Sequence, residues 1–328
     1  MNRSPLRDVT EDDIDTYKRD GVVCLRNVFD REWAEMLRPV AKEAKLNPSK
    51  FGLLPSLNQA RFMARTIPEF RKFSFESPLG EATGKVLQSK TVRFFFDELF
   101  SKEPNSKSET IWHNDRAGWP VTGQMVPSLW VPLTRITKAN SLECIAGSQR
   151  HDKLYWLFST NAQQMVRPAS RPTQPDVQRL RGEPDIQFLS WDMEPGDMLI
   201  IHPWTLHYNS GNPLDDWRFA ISTRVLGEDI RWDPRPDCLN IAGISLDEMI
   251  AGEEPDGPLF PMLWSADGRR DSGEDYPRGF SSKWQPEAYE RARQRIAAKG
   301  GIKVMRDAEG GPSTEYLDEL KAVLRRAE

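Results

Sequence analysis

Two histidines and one aspartate of this chain have the residue types and spacing of a metal site. His113 and Asp115 are separated by a single residue, and His207 follows in a later segment. Residues i and i+2 of a β-strand point to the same face, so His113 and Asp115 can face one ion while Asn114 turns outward. Two imidazoles and one carboxylate bind Fe(II) on one side and leave positions open opposite, as in non-haem iron oxygenases. The three residues therefore predict a catalytic Fe(II) site.

An arginine lies eleven positions after His207 in the sequence. The guanidinium of Arg218 presents a fixed fork of donors, which matches the distal carboxylate of a dicarboxylic oxo acid and would distinguish 2-oxoglutarate from pyruvate. The C1 carboxylate and C2 carbonyl of that acid would chelate the iron and leave one position for dioxygen. We therefore expect Fe(II) as the cofactor and 2-oxoglutarate and O2 as co-substrates.

The segments around these residues have the patterns of β-strands. Residues 110–112 favour β structure, and residues 198–201 form an apolar run that is short enough for a buried strand. A turn separates this run from His207, which we expect on the next strand. Polar and apolar residues alternate along 217–225, so Arg218 can point inward toward the metal.

In ordered blocks between about residue 11 and residue 265, the chain resembles the phytanoyl-CoA dioxygenase family of Fe(II)/2-oxoglutarate oxygenases. The matching blocks are residues 17–23, 27–29, 96–104, 110–115, 128–130, 141–143, 147–148 and 195–218. The resemblance implies a mainly β fold with flanking helices, namely the cupin-like double-stranded β-helix or jelly-roll. Residues from about 91 to 226 carry the β-rich blocks and are expected to form its core.

The resemblance also implies roles for individual positions. It makes His113, Asp115 and His207 the iron ligands and Arg218 the salt-bridge partner of 2-oxoglutarate. We assign three further residues to the co-substrate pocket: Ser128, Trp130 and Asn209. The last of these stands where the family often has Ser or Thr, and its amide can still hydrogen-bond a carboxylate.

Three residues compete with these assignments or stand beside them. His202 is a rival of His207, and we prefer His207 because only it has the eleven-residue spacing to an arginine that the resemblance requires. Arg224 is a rival of Arg218, and its alternative role is a surface ion pair with Glu228 or Asp229. His151 stands in a polar loop and is expected to be solvated.

The substrate is less well defined by the sequence. Proximity to the ligands suggests four substrate-binding residues: Arg116, Trp119, Gln124 and Trp204. We favour a small carboxylic or amino acid, or a specialised metabolite, over an acyl-CoA because no basic cluster marks a site for the CoA phosphates. Asp115 favours hydroxylation or another two-electron oxidation over halogenation, which needs a small residue there. Desaturation, cyclisation and epoxidation start from the same hydrogen abstraction and stay open.

Two other classes of function fit the same residues. A cupin-like zinc or manganese enzyme would use the three ligands without needing Arg218. A non-catalytic binding protein on the same fold would form no succinate and would tolerate the loss of Asp115.

Length and composition limit the setting of this activity. The 328 residues, 38% of them hydrophobic, suit a single domain with a sizeable core. A net charge of −4 argues against a nucleic-acid partner, and the chain lacks a long apolar run, so we expect neither a membrane partner nor a membrane span. Three widely spaced cysteines fit a reducing cytoplasm. We expect a small-molecule substrate and leave homodimer formation open.

The single domain, residues 1–328, divides into three regions. Helices are predicted in residues 10–90, where Thr10 and Asp30 are the expected N-caps and Gly21 ends the first helix. Within the core, the arginine-bearing stretch 159–184 is either a lid or a solvated insertion. Residues 227–328 should wrap the core irregularly and end in helices at 286–298 and 314–326.

Overall fold

Two antiparallel sheets form the body of the protein. The computed structural model describes residues 1–53, 59–155, 174–235, 238–239, 241, 243–279 and 316–325. The larger sheet has the spatial order β1 (Val22–Leu25), β9 (Met198–Ile201), β6 (Ser128–Pro132), β11 (Arg218–Leu226), β3 (Thr91–Lys102) and β13 (Met262–Ser265), and β2 (Gln59–Arg61) also pairs with β3. Strands that precede and follow residues 91–226 in sequence therefore also belong to this sheet, beyond the predicted core.

The smaller sheet lies against one face of the larger one. It has the order β4 (Thr110–His113), β10 (His207–Asn209), β7 (Leu142–Ile145) and β8 (Phe188–Ser190), and β5 (Val121–Thr122) separately pairs with β12 (Arg231–Trp232). Leu142 and Cys144 of the smaller sheet pack against Trp130, Leu199 and Ala220 of the larger one. Two facing antiparallel sheets are the architecture of the jelly-roll, so the predicted fold class is confirmed.

Helices cover the other face of the larger sheet. They are α1 (Glu11–Asp20), α2 (Arg31–Leu46), α3 (Met63–Thr66), α4 (Pro68–Glu76) and α5 (Leu79–Leu87). Leu37 of α2 and Phe70 of α4 share a buried cluster with Ile221 and Val225 of β11. Because side chains alternate along a strand, Ser222 and Arg224 point to the opposite side, between the two sheets, where both line a cavity.

The first helix begins and ends as predicted. Thr10 and Asp13 form a reciprocal capping box, and Gly21 takes the left-handed conformation with φ of 74°. Asp30 occupies the N-cap of α2, but its side chain makes no cap hydrogen bond. Instead, the Asp30 carboxylate lies 3.6 Å from the amino group of Met1, so the predicted position is right and the predicted interaction is wrong.

The segment that follows residue 227 contains a β-strand that was not predicted. β13 arises from a segment that was expected to be irregular, and it pairs with β3. A last helix, α6 (Leu317–Leu324), packs through Leu320 and Leu324 against Trp112 of β4. The predicted helix 286–298 and most of the stretch 159–184 lie outside the described residues. Within the described part of the chain, no helix combines the length and apolar character needed to span a membrane.

Candidate metal and co-substrate site

The structure brings His113, Asp115 and His207 together between the two sheets. His113 ends β4 and His207 begins β10, and the two residues are direct partners in the strand pairing, with ring centroids 4.2 Å apart. Asp115 opens the short 3-10 turn Asp115–Gly118 that follows β4. The intervening Asn114 does not line the cavity of the three donors; it is buried and caps this turn by accepting a hydrogen bond from the Ala117 N–H.

The donor atoms of the three side chains converge on one point. Asp115 Oδ1 lies 3.6 Å from Nε2 of His113 and 3.9 Å from Nε2 of His207, and one ligand atom from each residue lies within 4.8 Å of the others. Two atoms that bind one metal at about 2.1 Å lie no more than about 4.2 Å apart. Both carboxylate–imidazole distances meet this condition, so the cluster fits a metal ion.

Hydrogen bonds fix the orientation of both imidazoles. The Nδ1 atom of His113 lies 2.7 Å from the Ile111 carbonyl oxygen, and that of His207 lies 3.0 Å from the Thr205 carbonyl oxygen. Because a carbonyl only accepts, each Nδ1 carries the proton, and each Nε2 has a free lone pair. Burial lowers the pKa of His207 to about 4, which keeps its ring neutral at physiological pH.

One oxygen of the Asp115 carboxylate faces away from the imidazoles and contacts two other side chains. Its Oδ2 atom accepts a hydrogen bond from the Ser128 hydroxyl and lies 3.9 Å from Nη2 of Arg224. Burial acts to raise the pKa of Asp115, but the nearby His207 and His113 rings and the Arg224 guanidinium outweigh it and hold this pKa below its ordinary value. The carboxylate is therefore ionised and available as a metal ligand.

Arg218 lies in the same cavity as the three donor residues and is 2% exposed. Its Nη1 atom donates to the Asn140 carbonyl oxygen at 2.8 Å and to Oδ1 of Asn209 at 2.7 Å, while its Nε is buried without a hydrogen-bond partner among the described residues. Within the described part of the chain, no carboxylate pairs with it, and burial lowers its pKa to about 9. A buried cation that lacks a counter-ion is suited to bind an anionic ligand.

One cavity joins the metal cluster to Arg218. It is partly open to solvent. Its walls combine apolar and polar side chains: Phe100, Thr110, His113, Asp115, Ser128, Trp130, Leu142, Ile201, His207, Tyr208, Asn209, Arg218, Ser222 and Arg224. Trp130 lies with its ring 5.9 Å from the Arg218 guanidinium carbon. All seven residues that were assigned to iron or 2-oxoglutarate line this cavity.

The rivals of the assigned residues lie in other environments. His202 is outside the donor cluster and packs against Tyr17 at a ring distance of 5.9 Å. His151 is 3% exposed and lies 2.7 Å from the Tyr155 hydroxyl, so the prediction of a solvated ring is wrong. Arg224 is likewise buried, and it pairs with Glu98 rather than with Glu228 or Asp229 at the surface.

The four residues proposed for the substrate do not line the cavity. Arg116 is buried and ion-paired with Asp233 at 3.0 Å, and its guanidinium lies over the Trp204 ring. Trp119 is a core residue beside Phe95 and Phe96. Gln124 is exposed, and its backbone N–H donates a hydrogen bond to the Asp229 carboxylate. Closeness in sequence to the ligands therefore does not place these four side chains in the cavity wall.

Sequence reasoning missed the contribution of β3 to the site. Glu98, Phe100 and Lys102 occupy alternate positions of this strand, and Phe100 lines the cavity. Lys102 is the strand-pairing partner of Arg218, and its ammonium donates to the carbonyl oxygens of Ser108 and Ser210. Burial, followed by the nearby Arg218 charge, lowers the pKa of Lys102 to about 7. The charged residues Glu98 and Lys102, four positions apart in an otherwise strand-like segment, were the available signal.

Comparisons with known proteins identify the family and the fold. The family model for phytanoyl-CoA dioxygenase (PhyH) matches residues 17–220, which is more than half of the chain. The non-haem, α-ketoglutarate-dependent carbocyclase SnoK from nogalamycin biosynthesis has a TM-score of 0.60 and 16% identity, and the match covers 80% of this chain and 99% of SnoK.

Two further solved structures share the fold. The epimerase SnoN, in complex with Fe3+, α-ketoglutarate and nogalamycin RO, has a TM-score of 0.59 and 18% identity over 77% of this chain and 98% of SnoN. EctD from S. alaskensis, with 2-oxoglutarate and 5-hydroxyectoine, has a TM-score of 0.58 and 16% identity over 78% of this chain and 87% of EctD. From the family match, this chain belongs to the phytanoyl-CoA dioxygenase family of non-haem iron, 2-oxoglutarate-dependent oxygenases.

Proposed function

We propose that this protein oxidises a C–H bond of a small organic substrate while converting 2-oxoglutarate to succinate and CO2. His113, Asp115 and His207 would hold Fe(II), and Arg218 would bind the distal carboxylate of 2-oxoglutarate. The observation that carries this proposal is the buried Arg218 guanidinium, which shares a cavity with the metal cluster and has no carboxylate partner among the described residues. A dicarboxylic co-substrate supplies the missing charge.

The side chains of the cavity have separate tasks in this proposal. Asn209 orients Arg218 through the 2.7 Å hydrogen bond, so that the remaining donors of the guanidinium can face the co-substrate. Trp130 lies beside that guanidinium and covers the co-substrate pocket with an apolar ring, which excludes water from the charge pair. The Nδ1 hydrogen bonds of the two histidines hold each Nε2 toward the metal. The bound iron supplies the dioxygen activation that this cleavage of a C–H bond requires.

We infer that the substrate is a small carboxylic or amino acid or a specialised metabolite. The cavity that contains the metal cluster and Arg218 must hold both 2-oxoglutarate and the reacting part of the substrate, which favours a compact group. The structural neighbours include a carbocyclase, an epimerase and EctD, so the shared fold accommodates several outcomes and does not select one. We propose that this protein hydroxylates its substrate, because hydroxylation needs no further group in the cavity.

The proposal is tested by measuring succinate formed from 2-oxoglutarate with Fe(II) and a reductant under air. We expect slow succinate formation by the protein alone and faster formation with a true substrate, and no succinate from Asp115→Ala. Retention of a metal-dependent activity in Arg218→Ala, without succinate formation by the wild type, would favour a zinc or manganese enzyme instead.

A further inference from the structure

The two oxygens of the Asp115 carboxylate face different surroundings. Oδ1 faces the two Nε2 atoms, at 3.6 Å and 3.9 Å. Oδ2 is the acceptor of the Ser128 hydroxyl and the oxygen nearest to Arg224. The carboxylate therefore presents one oxygen to the metal position and has the other engaged by the protein.

The two groups that engage Oδ2 lie next to each other on the larger sheet. Ser128 of β6 and Arg224 of β11 are direct partners in the strand pairing, so both side chains leave the sheet on the same side. The position of Asp115 on the turn after β4 brings its carboxylate over this pair. Strand register, rather than a flexible loop, therefore sets where Oδ2 is held.

Arg224 is itself fixed by several contacts. Its Nη1 atom pairs with Oε2 of Glu98 at 2.5 Å and donates to the Ser222 carbonyl oxygen at 3.0 Å. Its guanidinium carbon also lies within 6 Å of three aromatic ring centres: Phe96 at 5.3 Å, Phe100 at 5.9 Å and Trp119 at 5.9 Å. A charge that is held in this way cannot follow the carboxylate if Oδ2 turns toward the metal.

We propose that Ser128 and Arg224 are positioning residues that restrict Asp115 to binding the iron through Oδ1 alone. This inference rests on the proposed function. Binding through both oxygens would break the Ser128 hydrogen bond and separate Oδ2 from Arg224, and it would occupy a position opposite the ligands. Holding Oδ2 therefore keeps that position free for dioxygen once 2-oxoglutarate is chelated. In this proposal the Ser128 hydroxyl holds the carboxylate ligand, whereas the sequence analysis assigned Ser128 to the co-substrate pocket.

Nitric oxide, which binds ferrous iron at the position of dioxygen, tests this restriction. The protein is loaded with Fe(II) and 2-oxoglutarate without oxygen, and the electron paramagnetic resonance signal of the nitrosyl adduct is titrated. We expect Ser128→Ala to keep iron and 2-oxoglutarate but to bind nitric oxide about tenfold more weakly, the size expected for the loss of one hydrogen bond to a charged group. Ser128→Thr, which restores a hydroxyl, should recover the affinity.

Two further variants keep the test decisive. Arg224→Lys retains a charge near Glu98 and should show a smaller loss of nitric oxide affinity, while Ser74→Ala removes a buried hydroxyl on α4 and should show none. Unchanged nitric oxide affinity in Ser128→Ala, or loss of its iron, would overturn the inference. Failure of the wild-type protein to bind iron and 2-oxoglutarate would instead contradict the proposed function.

Discussion

The Nη1 atom of Arg218 donates a 2.7 Å hydrogen bond to the side-chain oxygen of Asn209. Arg218 begins β11 in the larger sheet, and Asn209 ends the strand β10 that begins with His207. The contact therefore connects the arginine proposed for 2-oxoglutarate with the strand that carries a proposed iron ligand. It also explains how Asn can occupy a position where the family often has Ser or Thr, because an amide oxygen accepts from a guanidinium as a hydroxyl does.

Replacing Asn209 should weaken the binding of 2-oxoglutarate, and aspartate should weaken it more than alanine. Asn209→Ala removes one hydrogen bond to Arg218 and should raise the KM for 2-oxoglutarate about tenfold. Asn209→Asp gives Arg218 a carboxylate partner inside the protein, which competes with the co-substrate, so its KM should rise further than that of the alanine variant. Succinate formation at varied 2-oxoglutarate concentration measures both values. A lower KM in the aspartate variant than in the alanine variant would rule out this competition.

Removing His207 should abolish metal binding, whereas removing His202 should not. His207 contributes an Nε2 lone pair to the donor cluster, and His202 lies outside that cluster against Tyr17. We expect His207→Ala to lose bound iron and turnover, and His202→Ala to retain one iron per chain with slower turnover. Metal analysis after gel filtration gives the stoichiometry. Iron retained by His207→Ala and lost by His202→Ala would reverse the assignment.

The stability of the metal-free protein should fall as the pH is lowered from 6.5 to 4. Burial lowers the pKa of His202 to about 4 from its ordinary 6.5, so in this range the unfolded chain binds a proton that the folded chain does not. The free energy of unfolding should decrease by about 1.4 kcal/mol per pH unit for such a group. Urea unfolding of His202→Gln across this range should give a shallower dependence than the wild type, and parallel curves would refute the role of His202.

Trp119 should contribute to stability rather than to substrate affinity. Its ring is buried between Phe95 and Phe96 and lies 5.9 Å from the Arg224 guanidinium. Trp119→Ala should lower the free energy of unfolding by about 3–5 kcal/mol, and Trp119→Phe by less, because a smaller cavity remains. Denaturant unfolding compares the variants. An unchanged unfolding midpoint in Trp119→Ala together with a higher KM for the substrate would return this residue to the substrate site.

The ligand cluster, the strand faces and the ends of α1 could be predicted from local patterns, whereas the jelly-roll was implied by the family resemblance. The two-residue period of strands puts Arg218 and Arg224 on the face opposite Phe219 and Ile221, and the capping residues at Thr10 and Gly21 mark the ends of α1. These features depend on neighbouring residues, which a single sequence displays directly. The jelly-roll then brings β4 and β10 together as partners.

The environment of individual charges could not be predicted in the same way. Arg224 is buried because Glu98, more than a hundred positions earlier, supplies its counter-charge, and His151 is buried beneath a helix near the C-terminus that places Glu319 3.7 Å away. Both partners are distant in sequence, and each polar residue alone is typical of the surface. The converse holds for Arg116 and Trp119, which are close to the ligands in sequence and yet are buried outside the cavity wall.

The proposed function depends on the binding of 2-oxoglutarate by Arg218 at an iron held by His113, Asp115 and His207. Its most direct test is the visible absorption of the anaerobic protein loaded with Fe(II) and titrated with 2-oxoglutarate, where chelation by the oxo acid produces a weak metal-to-ligand band. We predict that the wild type develops this band and that Arg218→Ala needs at least about tenfold more 2-oxoglutarate to reach it, since a buried charge pair is lost. A fully iron-loaded wild-type protein that develops no band, or an Arg218→Ala variant that titrates like the wild type, would contradict the proposed function.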